Sequence, residues 1–178
     1  MARSRRNHNA DMNARGSPPL FEVLEHTADI GLRAYGGTLE ELFENAAWGL
    51  GEILDIDRSS RDGQGRRVAR GGPPRSSRRR ASGGAGVYSR YVHLREASDI
   101  EAVLVDWMNE LILLTEEGKA CLGGVQVDVV GEDGLRARVE LTDCGSVPEG
   151  TDLKAATYHQ LAVRQGEGGW EATVYFDV

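Results

Sequence analysis

Between Leu39 and Leu54 the apolar residues fall three and four positions apart, a spacing that only a helix can turn into one continuous face. Leu39, Leu42, Phe43, Ala46, Ala47, Leu50, Ile53 and Leu54 make the stripe. Thr38, with Glu41 three residues on, offers a capping box at its start. Gly49 and Gly51 weaken it. A second stripe, Ile100, Val103, Leu104, Trp107, Leu111 and Leu114, follows Ser98 with Glu101 three residues on. Each stripe covers the single face that a helix on a sheet must bury, so both are read as core rather than as binding grooves.

The remaining apolar residues alternate with polar ones and read as strands. Phe21 to Glu25 and Ile30 to Tyr35 flank a short polar break, and Val87 to Leu94 leads into the second helix. Val125, Val127 and Val129 form one alternating run; Leu135, Ala137, Val139 and Leu141 form the next, with the turn at Gly131 to Gly134. Thr157 to Val163 and Trp170 to Phe176 predict a hairpin around Gly166-Glu167-Gly168-Gly169. Gly123-Gly124 reads as a turn between strands. The expectation is an α+β domain, two helices packed on a mostly antiparallel sheet.

Two segments lack the material for a core. Residues 1–20 are rich in Arg and Asn and are expected to be a disordered leader to a domain at 21–178. That domain is interrupted at about 57–86 by an Arg/Gly-rich insert, also expected to be disordered. Residues 57–90 hold ten arginines against Asp57 and Asp62, and residues 1–20 hold four against Asp11. Because the formal net charge is −7, the rest of the chain carries −18. A folded part this acidic attracts cations and basic surfaces and argues against direct nucleic-acid binding. The insert reads as a tolerated surface loop in preference to an RNA-binding arm.

No apolar run is long enough to span a bilayer, and no apolar segment follows the basic start as a secretory signal would require. Cys121 and Cys144 are too few for a disulfide framework. The expectation is therefore a soluble cytoplasmic protein with both thiols reduced.

Chemistry has few places to sit. Glu25-His26-Thr27-Ala28-Asp29 is polar between two apolar strands, and Lys154-Ala155-Ala156-Thr157-Tyr158-His159 is polar at the start of another. Phe176-Asp177-Val178 closes the sequence on an Asp and a carboxylate. If Asp29 came beside them, the anionic cluster would need a cation, and its oxygens suit Ca²⁺ or Mg²⁺. A solvated strand end is the plainer alternative. Zinc spacing, a G-x-S-x-G elbow and a Walker A loop are all missing. His26 and His159 could act as an acid–base pair or hydrogen-bond locally, and the local role is preferred.

The same segments carry a family resemblance. Glu25-His26-Thr27-Ala28-Asp29-Ile30-Gly31 resembles the N-terminal motif of the archease family, followed in order by Thr38-Leu39-Glu40-Glu41-Leu42-Phe43-Glu44-Asn45-Ala46-Ala47. Asp106-Trp107-Met108-Asn109-Glu110-Leu111 resembles the family's second helix; Lys154 to His159 and Phe176-Asp177-Val178 resemble its C-terminal motifs. The resemblance implies an accessory protein, not an enzyme, which promotes guanylylation and turnover of an RtcB-type RNA-splicing ligase in tRNA splicing or RNA repair. It also implies a divalent metal, calcium, held by Asp29, Asp177 and the main-chain oxygen of Val178, with Glu25, His26, Lys154 and His159 as supporting residues. The insert and leader depart from the family's pattern. Two rivals stand beside it: a metal-dependent hydrolase using Asp29 and Asp177 with His26 or His159 as base, and an interaction module without metal.

Overall fold

The computed structural model describes residues 20–25, 29–61, 87–95, 97–143 and 153–178. The elements run β1 (Phe21–Glu25), β2 (Ile30–Gly36), α1 (Leu39–Arg61), β3 (Val87–Arg95), α2 (Ile100–Glu117), β4 (Ala120–Gly131), β5 (Gly134–Asp143), β6 (Ala155–Gly166) and β7 (Gly169–Asp177). The expected α+β class holds, but the strands divide between two sheets. One is four-stranded in the order β1-β2-β7-β6, the other three-stranded in the order β3-β5-β4. Every pairing is antiparallel.

Both helices touch both sheets, so one continuous core joins all the layers. The stripe of α1 is buried from Leu42 to Leu54, and α2 buries Val103, Leu104, Trp107 and Leu111. The Trp107 indole N–H donates to the Phe43 carbonyl at 3.1 Å, pinning the helices where a buried donor needs a partner. Gly49, a weak point by propensity, has a packing reason. A Cβ there would lie 2.3 Å from Leu32 Cδ1, so only glycine lets α1 settle onto β2.

Several local expectations need correction. The Thr38 hydroxyl accepts from the Glu41 amide at 3.2 Å as expected, while the Glu41 carboxylate reaches back to the Gly37 amide at 2.8 Å. The cap of α2 is Asp99, not Ser98: its carboxylate accepts from the Ala102 amide at 2.8 Å, and the Ser98 hydroxyl donates to it. A carboxylate is the stronger acceptor at the positive end of a helix. Helix α1 runs to Arg61, past the expected start of the insert at 57. Gly123-Gly124 is no turn; it lies inside β4, where the register against β5 shifts. A second shift between Val127 and Val129 turns Val129 outward, 46% exposed, and sends Val130 into the core.

The thiol expectation is also overturned: Cys121 is disulfide-bonded. The sequence separation concealed why this is feasible. Cys121 lies opposite Thr142, two residues ahead of the chain's other cysteine, in the β4–β5 register. Cys144 itself lies outside the described residues, as do the leader through residue 19, His26 to Ala28, and residues 62–86.

Candidate functional site at one end of the four-stranded sheet

Ile30 pairs with Phe176 at the end of the β2–β7 ladder. One further step in the same register sets Asp29 opposite Asp177. Directly opposed residues of an antiparallel pair share a face, with Cβ atoms about 5 Å apart. Phe176 is fully buried, so alternation sends its neighbour Asp177 to the outer face, where it is exposed. The fold thus puts two acidic residues, 148 positions apart in the chain, at the same end of neighbouring strands.

Lys154 closes this corner. Its amide donates to the Asp177 carbonyl at 2.8 Å, and its ammonium donates to the Val178 main-chain oxygen at 2.9 Å. The sequence left the acidic cluster to a bound cation or to shifted pKa values; the structure adds the Lys154 ammonium on the Val178 oxygen. Lys154, Asp177 and Val178 are therefore brought together, and Asp29 lies one residue past the end of the β2–β7 ladder. Glu25 lies at the end of β1, paired with Ile30, and His26 lies outside the described residues.

His159 sits elsewhere, on an exposed bulged stretch of β6. Its Nε2 is 2.9 Å from the Gln160 amide nitrogen, and its ring meets Tyr175 edge-on at 6.1 Å. No contact joins it to Asp29, Asp177 or Val178 among the described residues, which favours the local role for this imidazole.

Helix α2 positions the bulge. β6 is an edge strand, so some of its N–H groups face away from the ladder. The Ala156 amide donates to Asn109 Oδ1 at 2.8 Å, and the Val163 amide donates to Glu101 Oε1 at 3.4 Å. These two pins bracket the irregular residues between Thr157 and Ala162. Glu44 does the same for β4, accepting from the Val127 amide at 2.8 Å. In the sequence Glu101 stands out only at the helix start and Asn109 only within a family motif; their distant partners on β6 reveal the positioning role.

The donor set at the corner is two carboxylates and a main-chain oxygen. Hard oxygen ligands of this kind fit Ca²⁺ or Mg²⁺. Among the described residues no group of three or more His, Cys, Asp or Glu side chains converges as a metal cage. A hard ion here would have to take further ligands from water or from a partner's groups. A hollow of about 560 Å³ lies away from this corner, at the other end of the strands, beside Tyr35, Gly37, Asn45, Gly169 and Trp170.

The molecule is a two-sheet α+β domain whose candidate site is an acidic, lysine-clamped strand corner rather than an enclosed cleft. Comparison with known proteins gives this class its family. The Archease protein family pattern matches residues 21–73 and 87–178. Protein archease of Methanosarcina mazei is 32% identical over 164 residues, covering 89% of this chain and 95% of the relative. Protein archease of Methanosarcina barkeri is 33% identical over 165 residues, with the same coverage. The solution structure of Methanobacterium thermoautotrophicum protein 1598 superposes with a TM-score of 0.56 at 27% identity, covering 89% of this chain and 99% of that one. This chain belongs to the archease family. The match extends through residue 73, so the first part of the expected insert falls within the family pattern and only 74–86 lies outside it.

Proposed function

We propose that this protein is an accessory factor that activates an RtcB-type RNA-splicing ligase, promoting its guanylylation and turnover in tRNA splicing or RNA repair. The reading rests on membership of the archease family, with Asp29 and Asp177 at the same end of the paired strands β2 and β7 and the Val178 oxygen held by Lys154. The site is an open corner, suited to meeting another protein's surface. Asp29, Asp177 and the Val178 oxygen would hold a divalent cation, calcium by its preference for oxygen ligands at flexible geometry. When bound, such an ion supplies local positive charge and free coordination positions at the contact with the ligase. Lys154 would hold the Val178 oxygen in place, and Asn109 and Glu101 would keep β6 in register behind it.

The acidic surface outside the leader and insert suits a basic, RNA-handling partner better than RNA itself. No helix among the described residues is long and apolar enough to cross a membrane. The cytoplasm remains the proposed place of action, although the disulfide at Cys121 pulls against a reducing compartment. The hydrolase alternative is disfavoured by His159, which turns to Gln160 and Tyr175 instead of to the carboxylates.

The test is multiple-turnover RNA ligation by the cognate ligase with and without this protein, with guanylylated ligase measured in parallel. Stimulation of both by wild type and not by Asp177→Ala is expected. Equal stimulation by the two would remove the carboxylate pair from the function.

A further inference from the structure

Midway along the outer face of the four-stranded sheet lies a second hollow, of about 210 Å³. Its origin is the irregularity in β6. Thr157 pairs with Tyr175 and Ala162 with Thr173, so four residues of β6 stand opposite one of β7. Gln160, within this stretch, holds φ at +51°, a left-handed conformation unusual for a residue with a Cβ. Strain of this kind persists where the surroundings hold it, and it concentrates at binding sites.

The hollow has a basic lining in an otherwise acidic domain. In the ladder, Arg33 of β2, Thr173 of β7 and Ala162 of β6 form one row across the strands. Arg164 and Glu171 form the next. The small Ala162 side chain leaves room above the strands, with Arg33 and Arg164 on either side of β7 and Gln160 at the bulge. Among the described residues the Arg33 Nε atom is buried without a hydrogen-bond partner, although its side chain as a whole is 39% exposed. Its nearest carboxylate oxygen, on Glu171, is 3.8 Å away, beyond hydrogen-bonding distance. An unsatisfied buried donor calls for an acceptor. Beside it the Tyr35 hydroxyl is held above the ordinary tyrosine range, first by burial, against the lowering effect of its hydrogen bond with Arg33.

We propose that this hollow is an oxyanion site that takes the phosphate of a small phosphomonoester. Arg33 and Arg164, on strands at opposite sides of β7, line the hollow together with Thr173 and Gln160, whose amide nitrogen also meets His159 Nε2 at 2.9 Å. That arrangement matches tetrahedral oxygens better than a flat carboxylate. Glu171, and Glu22 directly opposite Arg33 in the β1–β2 register, offset the arginine charges and limit affinity. The site is separate from the Asp29–Asp177 corner and does not depend on the ligase reading.

The test uses the full chain labelled with ¹⁵N, followed through its arginine Nε–H and glutamine side-chain signals. Inorganic phosphate and a nucleoside 5′-monophosphate are titrated at constant ionic strength, with acetate as control. Saturable shifts of Arg33 Nε–H and the Gln160 amide are expected with both phosphates, and acetate should bind more weakly. Arg33→Lys and Arg164→Ala should each weaken binding about tenfold, the loss of one charge-assisted hydrogen bond. Glu171→Gln should tighten it several-fold by removing repulsion. Asp177→Ala should bind phosphate like wild type, so failure of the carboxylate corner and failure of this hollow are read separately. The overturning results are no saturable shift in wild type, acetate binding as tightly as phosphate, or tighter binding lost rather than gained in Glu171→Gln. Should Arg33→Lys fold poorly, Arg164→Ala and Glu171→Gln carry the decision.

Discussion

Both sheets contain an irregular strand, and the two solve the same problem in different ways. β4 breaks register at Gly123-Gly124, where Cβ atoms would meet Thr142 at 2.7 Å and Glu140 at 2.9 Å. Glycine removes the conflict, and this bulge serves packing. β6 breaks register over four residues without a glycine; it places Gln160 in a strained conformation and needs Asn109 and Glu101 from α2 at its two ends. A bulge filled by glycine costs little and exposes little chemistry. A bulge held open by polar pins stores strain and presents Gln160 and His159 on the face that also carries Asp177. The glycine bulge of β4 is architecture; the second shift of β4, at Val127–Val129, has no glycine and is pinned by Glu44, and so is built like the bulge of β6.

The sharpest way to break that contrast is at the carboxylate corner. Asp177→Ala and Asp29→Ala should abolish stimulation of guanylylation, while the thermal midpoint measured with chelator stays within a few degrees of wild type. Removing one of two apposed carboxylates costs no packing and relieves repulsion. A variant that simply unfolds would make the corner architectural too. Gly123→Val should act in the opposite sense. Its branched side chain meets Thr142 and should cost about 2 kcal/mol by urea denaturation, typical of overpacking. Stimulation per folded molecule should be unchanged; a specific loss would make β4's bulge functional.

Smaller effects separate the pins from the strain. Asn109→Ala leaves the Ala156 amide without its acceptor and should cost about 1–2 kcal/mol, with the largest rise in amide exchange along β6. Exchange spread evenly over both sheets would contradict a local pin. Gln160→Gly should do the reverse, gaining about 0.5 kcal/mol, since glycine relieves the left-handed strain but loses more entropy on folding. Destabilisation would show that the Gln160 side chain, not its backbone, holds the bulge. Smallest of all, replacing residues 74–86 with a short Gly/Ser linker should leave both the melting point and ligase stimulation nearly unchanged, because this stretch is the one interruption of the family pattern between residues 21 and 178. Loss of stimulation in the folded deletion would give the arginines a recognition role.

The sequence by itself determined the elements whose signal is local. The stripes of α1 and α2, the Thr38 cap and the hairpin around Gly166 to Gly169 follow from spacing and turn chemistry, and the family follows from motifs read in order. Local rules failed where two partners competed for one role. Ser98 and Asp99 could each cap α2, and Gly123-Gly124 could serve a turn or a bulge. Val129 follows strict alternation in the sequence yet faces outward, because a register shift reverses the pleat and leaves no composition signature. The tertiary structure alone decided which distant residues meet. The β2–β7 register sets the strand ends that carry Asp29 and Asp177 side by side, Lys154 then finds the Val178 oxygen, and the β6 bulge opens beside Arg33. These pairings are set by the core on the opposite face of the sheet, where Ile30, Leu32, Val174 and Phe176 must bury together. A slip of one residue would turn all of them out to water. The apolar face therefore selects the register, and the polar face inherits its chemistry.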